Sequence, residues 1–121
     1  MKKVLIIDDS PMVRERITSL LVESPQIRII GEAGSGGEAL EVLRHEKPDT
    51  VILDIHLPDQ NGITLLKMFK SRYPEMTVIM LTNLDDPRYR QQCRRLGADH
   101  FLSKAGEFEK IVDTITNDQM H

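Results

Sequence analysis

A single cysteine, Cys93, stands in the 121 residues, so the chain can form no internal disulfide and no cysteine cluster for zinc. A lone thiol fits the reducing cytosol, and a cytoplasmic location is expected. Tryptophan is absent, and two tyrosines and three phenylalanines are too few for a base-stacking platform. No apolar run approaches the roughly 18 residues of a membrane span. The start Met1-Lys2-Lys3 is followed by only four apolar residues before two aspartates, which rejects a signal peptide. Sixteen Lys plus Arg against nineteen Asp plus Glu leave a formal charge of −3, with no global basic field for nucleic acid. The histidines, His45, His56, His100 and His121, show no zinc-like spacing. What remains is one domain large enough to build a core unaided.

Short apolar runs alternate with helical periodicity along the whole chain. Strands are expected at residues 3–8, 27–33, 50–54 and 77–82, with a last one inside 98–104. Ser10-Pro11 supplies an N-cap and a first-turn proline, followed by Val13, Ile17, Leu20 and Leu21 at helical spacing. Gly34-Ser35-Gly36-Gly37-Glu38 opens the next helix, Ser35 and Glu38 standing at capping-box spacing. It lacks the lysine and spacing of a phosphate-binding P-loop. Leu65, Leu66, Phe69 and Tyr73 form the third stripe, which Pro74 ends. Asp86-Pro87 starts the fourth helix, with Tyr89, Cys93 and Leu96 on one face and Gly97 as its C′ residue. Phe108, Ile111, Val112 and Ile115 mark the fifth, and the polar end from Asn117 to His121 is expected to fray. Such alternation predicts right-handed βαβ units and a parallel sheet covered on both faces.

Four of the apolar runs end on chemically telling residues: Asp8-Asp9, Asp54, Thr82 and Lys104. Open parallel sheets bind ligands at the carboxyl ends of their strands. Three carboxylates, a hydroxyl and an ammonium are therefore expected at one sheet edge. Crowded carboxylates repel unless a cation intervenes. Mg2+ prefers oxygen ligands and retains several waters, so two carboxylates and a carbonyl make a sensible partial shell. An aspartate there is a nucleophile of the kind that forms acyl phosphates, with metal and ammonium offsetting phosphoryl charge.

Taken singly, each residue has a plainer reading. Asp8 or Asp9 alone reads as a cap or loop acid, Asp54 as a turn, Thr82 as a β-branched strand residue, Lys104 as a solvated lysine and Phe101 as core packing. The ordered set, with Pro58 and Gly62 downstream of Asp54, resembles the receiver domain of two-component response regulators over essentially the whole chain, 1–121. The resemblance implies a flavodoxin-like, doubly wound, five-stranded parallel sheet in order 2-1-3-4-5 with five helices. It implies Asp54 as phosphoacceptor, Asp9 as a direct Mg2+ ligand and Asp8 acting mainly through bound water. Asp54 itself and the His56 backbone carbonyl would complete the protein ligands, and Mn2+ would substitute. Thr82 and Lys104 would contact phosphoryl oxygens, and Thr82 with Phe101 would form the switch. The implied partners are a histidine kinase or phosphotransfer protein, and a downstream target or effector domain read through the helix 4, strand 5 and helix 5 face. A homodimer is possible through that face; direct contact with nucleic acid or membrane is not expected.

The sequence departs from that family at three places. Ala105-Gly106 follows Lys104 where proline is usual. A cis bond there would cost roughly 2.5–4 kcal/mol, so a trans peptide is expected. His56 and Leu84 flank the phosphoryl position, where His56 could assist an attacking water and bulky Leu84 obstruct it. Arg88, Arg90, Arg94 and Arg95 form a basic helical segment that reads first as a solvated face and second as a partner-binding patch. Other functions are a phosphate-independent interaction module, the receiver part of a longer DNA-binding regulator, a small aspartyl-phosphate hydrolase and a flavin protein. The hydrolase needs an aspartate where His56 stands. The flavin reading fails because Asp8 and Asp9 would repel its phosphate. The chain is expected to catalyse only its own phosphorylation and dephosphorylation.

Overall fold

The runs read as strands pair in parallel in the order β2-β1-β3-β4-β5. They are β1 (Lys2–Ile7), β2 (Ile27–Ala33), β3 (Thr50–Leu53), β4 (Thr77–Thr82) and β5 (His100–Ser103). Between and after them run α1 (Pro11–Leu21), α2 (Gly36–His45), α3 (Gly62–Arg72), α4 (Pro87–Arg95) and α5 (Ile111–Thr116). The computed structural model describes residues 1–83 and 86–118, so Leu84 and His121 lie outside the described residues.

Side-chain alternation divides the sheet into two apolar faces. Leu5, Ile7, Val51, Leu53, Val78 and Met80 meet Ala39 of α2, Leu65, Leu66 and Phe69 of α3, and Cys93 of α4. Val4, Ile6, Ile52, Ile79, Leu81 and Leu102 meet Ile17 and Leu21 of α1 and Ile111 and Ile115 of α5. Burying each such aliphatic side chain contributes about 1.5–3 kcal/mol, which is why the central strands read as continuous apolar runs rather than alternating ones. Burial also pushes the Cys93 thiol up, leaving it an inert core group.

Helix starts follow local chemistry. Ser10 Oγ accepts the Val13 N–H at 3.3 Å, Ser35 Oγ the Glu38 N–H at 3.1 Å, and Asp86 Oδ1 the Arg88 N–H at 2.8 Å. The expected capping box at α2 is not reciprocal, because Glu38 Oε1 reaches past Ser35 to the Gly34 N–H at 2.6 Å. Helix α4 closes with a Schellman motif: the Gly97 N–H donates to the Arg94 carbonyl and the Ala98 N–H to the Cys93 carbonyl. Gly97 has φ +100°, a conformation open to glycine. The stripe beginning at Phe108 starts as a 3-10 turn, Phe108–Lys110, before α5 proper. Among the described residues, no helix is long and apolar enough to cross a membrane.

Candidate functional site

The registers bring the carboxyl ends of the strands to one edge, β4 running two residues beyond β3. Ile7 stands opposite Leu53, Leu53 opposite Met80, and Thr82 opposite Ser103. Strands β1 and β3 end one residue earlier than the apolar runs suggested, yet the Asp8 and Asp54 amides still donate to the Ala33 and Ile7 carbonyls at 2.9 and 3.0 Å, and only the amides beyond them turn to the aspartate side chains. Asp8 Oδ1 accepts the Ser10 N–H at 2.9 Å, and Asp54 Oδ1 accepts the Ile55 N–H at 2.7 Å. Both second oxygens turn to Lys104, whose Nζ lies 2.6 Å from Asp8 Oδ2 and 3.1 Å from Asp54 Oδ2.

Asp9 is exposed at the mouth, and one carboxylate oxygen from each of Asp8, Asp9 and Asp54 lies within 4.8 Å of the others. Burial raises the pKa of Asp8, and the Asp54 charge adds to it; the Lys104 ammonium and the Ser10 amide oppose the rise without cancelling it. Burial alone would lower the Lys104 pKa, but its bond to Asp8 and the charges of Asp54 and Asp8 outweigh that, and the net shift is upward. A cluster of three acids served by one ammonium fits a hard divalent cation.

A model of the response regulator receiver domain matches residues 4–116 of the chain. The chain belongs to that family. The receiver is 37% identical over 115 residues to a protein-glutamate methylesterase/protein-glutamine glutaminase of Carboxydothermus hydrogenoformans, covering 93% of this chain and 34% of that protein. It is 35% identical over 104 residues to the DNA-binding transcriptional activator DevR/DosR of Mycobacterium tuberculosis, covering 86% of this chain and 48% of that one. The chain thus spans about half or less of the length of these curated relatives. Among solved structures, the response regulator domain of Thermotoga maritima CheB superposes with a TM-score of 0.84 at 28% identity, covering 97% of this chain and 92% of that one.

Within this receiver Thr82, His56 and Phe101, also singled out from the sequence, lie on β4, in the loop after β3 and on β5. Thr82 is buried at the end of β4, and its carbonyl accepts the Lys104 N–H at 2.9 Å. His56 is exposed, and its backbone forms an antiparallel bridge with Asn61, closed by the Gly62 N–H on the Ile55 carbonyl at 2.6 Å. Phe101 packs at the margin of the core cluster that contains Cys93 of α4. The Arg90 guanidinium of α4 lies 4.6 Å from its ring centroid and donates to its carbonyl at 3.1 Å. Arg88 pairs with Asp86 at 2.9 Å, so Arg88 and Arg90 of α4 are both engaged by partners among the described residues.

No cis peptide occurs among the described residues, and the Lys104–Ala105 bond is trans as expected. The loop is shaped instead by side chains: the Ser103 N–H donates to Glu107 Oε1 at 2.9 Å, the Glu107 N–H to the Ser103 carbonyl at 2.9 Å, and the Ala105 N–H to Ser103 Oγ at 3.2 Å. The bond from the Ser103 amide chiefly holds the Glu107 carboxyl below the usual range. Sequence reasoning missed Glu107, Arg14 and Asp59. Arg14 Nη1 donates to the Asp8 carbonyl at 2.6 Å while its Nε meets Glu32 at 3.2 Å, fixing the backbone beneath the acids. The partners of Asp59 lie more than twenty residues away. The Ser103 partner of Glu107 and the Asp8 partner of Arg14 lie four and six residues off, but across a loop in each case, where side-chain periodicity gives no signal.

Proposed function

We propose that this receiver is a phosphorylation-driven switch that takes a phosphoryl group from a histidine kinase or phosphotransfer protein onto Asp54. The observation that carries this reading is the Lys104 ammonium drawn between Asp8 and Asp54 beside Asp9. Asp8, Asp9 and Asp54, with the His56 carbonyl, would hold Mg2+ or Mn2+. When bound, the ion neutralises charge on the incoming phosphoryl oxygens. Asp54 supplies the nucleophile. As a bond forms from its carboxylate oxygen to phosphorus, the donor's nitrogen–phosphorus bond breaks and the imidazole leaves, taking a proton from solvent. Lys104 already lies at that carboxylate and follows the charge onto the phosphoryl oxygens. Thr82, at the next strand end, offers its hydroxyl to the same group.

A second reading is that the receiver commands a DNA-binding output in a longer protein. The match to DevR/DosR over 48% of that activator's length favours it. The same acid set weighs against a phosphate-independent module.

Intact-protein mass spectrometry after treatment with acetyl phosphate tests the central assignment. The native chain should gain one phosphoryl group only with Mg2+ or Mn2+ present. Asp54→Asn should keep the fold and gain none, and Asp9→Asn should demand more metal. Undiminished incorporation in Asp54→Asn would overturn the assignment.

A further inference from the structure

The loop that follows Asp54 is fastened to a helix that contributes nothing to the acid cluster. Asp59 Oδ1 accepts the Gly36 N–H at 2.8 Å, and Asp59 Oδ2 accepts the Gly37 N–H at 2.9 Å. These are first-turn amides of α2, which no intrahelical carbonyl can satisfy. A carboxylate is favoured there by the helix dipole as well. The Gln60 side chain lies over Gly36 so closely that a methyl group at that position would collide with it. Gly36, one of the helix-opening glycines singled out in the sequence, thus makes room for a loop more than twenty residues away.

That loop has little slack. The Gly62 N–H closes onto the Ile55 carbonyl at 2.6 Å, and His56 pairs with Asn61. A displacement of Asp59 is therefore passed along to residues 54–56 rather than absorbed between them. We propose that Asp59 is a positioning residue: by clamping the Asp54–Gly62 loop to the start of α2, it sets the affinity of the Asp8, Asp9 and Asp54 cluster for a divalent cation. The proposal rests on the reading of that cluster as a cation site. Linkage makes the coupling reciprocal, so cation binding must tighten the clamp.

The test is Mg2+ titration of the full chain, followed by NMR, with water exchange of the Gly36 and Gly37 amides read in the same samples. Asp59→Ala is expected to weaken Mg2+ binding roughly three- to tenfold, the loss appropriate to two hydrogen bonds that act only through position. Asp59→Asn keeps one acceptor oxygen and should fall between. In the native chain, Mg2+ should slow exchange of both amides. Native Mg2+ affinity in Asp59→Ala, or amide exchange indifferent to Mg2+, would overturn this proposal alone. A native chain that binds no Mg2+ would overturn the cation-site reading with it. Should Asp59→Ala fail to fold by circular dichroism, the native exchange measurement decides by itself: slowed exchange supports the clamp and unchanged exchange refutes it.

Discussion

Lys104 Nζ sits 2.6 Å from Asp8 Oδ2, nearer than its 3.1 Å approach to Asp54. The ammonium thus serves as counter-ion to the most buried of the three acids, and is expected to compete with a cation entering the cluster. Lys104→Met is expected to raise Mg2+ affinity several-fold, because one positive charge leaves and the carboxylates lose their internal partner. Phosphorylation should slow by roughly tenfold or more, since a donor aimed at the developing charge is gone. Calorimetric Mg2+ titration and acetyl phosphate kinetics on the same variant check both. Unchanged Mg2+ affinity would show that the ammonium and the cation do not compete.

Phe101 is held from α4 by Arg90, which stacks on its ring and pairs with Glu107 at 3.7 Å. If the phosphoryl group draws Thr82 inward, the ring fills the space and this contact must rearrange. Thr82→Ala should therefore leave phosphate incorporation on Asp54 intact and blunt the response of α4 and β5. Arg90→Ala should shift the resting receiver toward the phosphorylated spectrum, since the stacking stabilises by about 0.5–1 kcal/mol. Amide chemical shifts of Arg94, Phe101 and Leu102 in each variant, with and without phosphoryl donor, provide the measurement. A phosphorylated native chain with shifts confined to residues 54–62 would refute this switch.

A Cβ on Gly62 would run into the Asp54 backbone carbonyl and lie 2.8 Å from Ile55 Cα. Both are backbone atoms with nowhere to go. Gly62→Ala is expected to cost about 1–3 kcal/mol or more in urea unfolding, together with weaker Mg2+ binding as the loop shifts. Gly106→Ala is the matched control, with nothing within 4 Å of its Cβ, and should stay within about 0.5 kcal/mol of the native chain. Equal stability of the two variants would remove the steric account.

At the opposite edge of the sheet, Asp118 ties down the start of two strands. Its carboxylate oxygens lie 3.0 Å from His100 Nε2 and 2.8 Å from Thr77 Oγ1. Burial alone would raise its pKa, but the bonds from His100 and Thr77 and the Lys2 charge lower it on balance. A carboxyl lowered in the folded state stabilises that state above its unfolded pKa and loses this as pH falls through the folded pKa. Asp118→Asn should thus be about 1 kcal/mol less stable than the native chain near pH 6. The gap should close progressively once pH drops below about 4. Denaturation midpoints across pH 2–7 would show it, and a gap independent of pH would assign the effect to packing.

The sequence by itself determined the elements and the ends at which chemistry gathers. Its caps at Ser10 and Asp86 and its stop at Gly97 act within one turn of backbone, and strand periodicity is a local property, so these were legible. Because parallel strands all present their carboxyl ends to one edge, Asp8, Asp54, Thr82 and Lys104 could be placed together before any contact was seen. Only the tertiary structure decided that Lys104 favours Asp8, that Arg14 braces the Asp8 carbonyl, that Arg90 covers Phe101 and that Asp59 grips α2. Each of these depends on side-chain direction and on registers between segments up to nearly a hundred residues apart. Hydrogen bonds and ion pairs act over a few ångströms of space, and sequence spacing measures distance only along the chain.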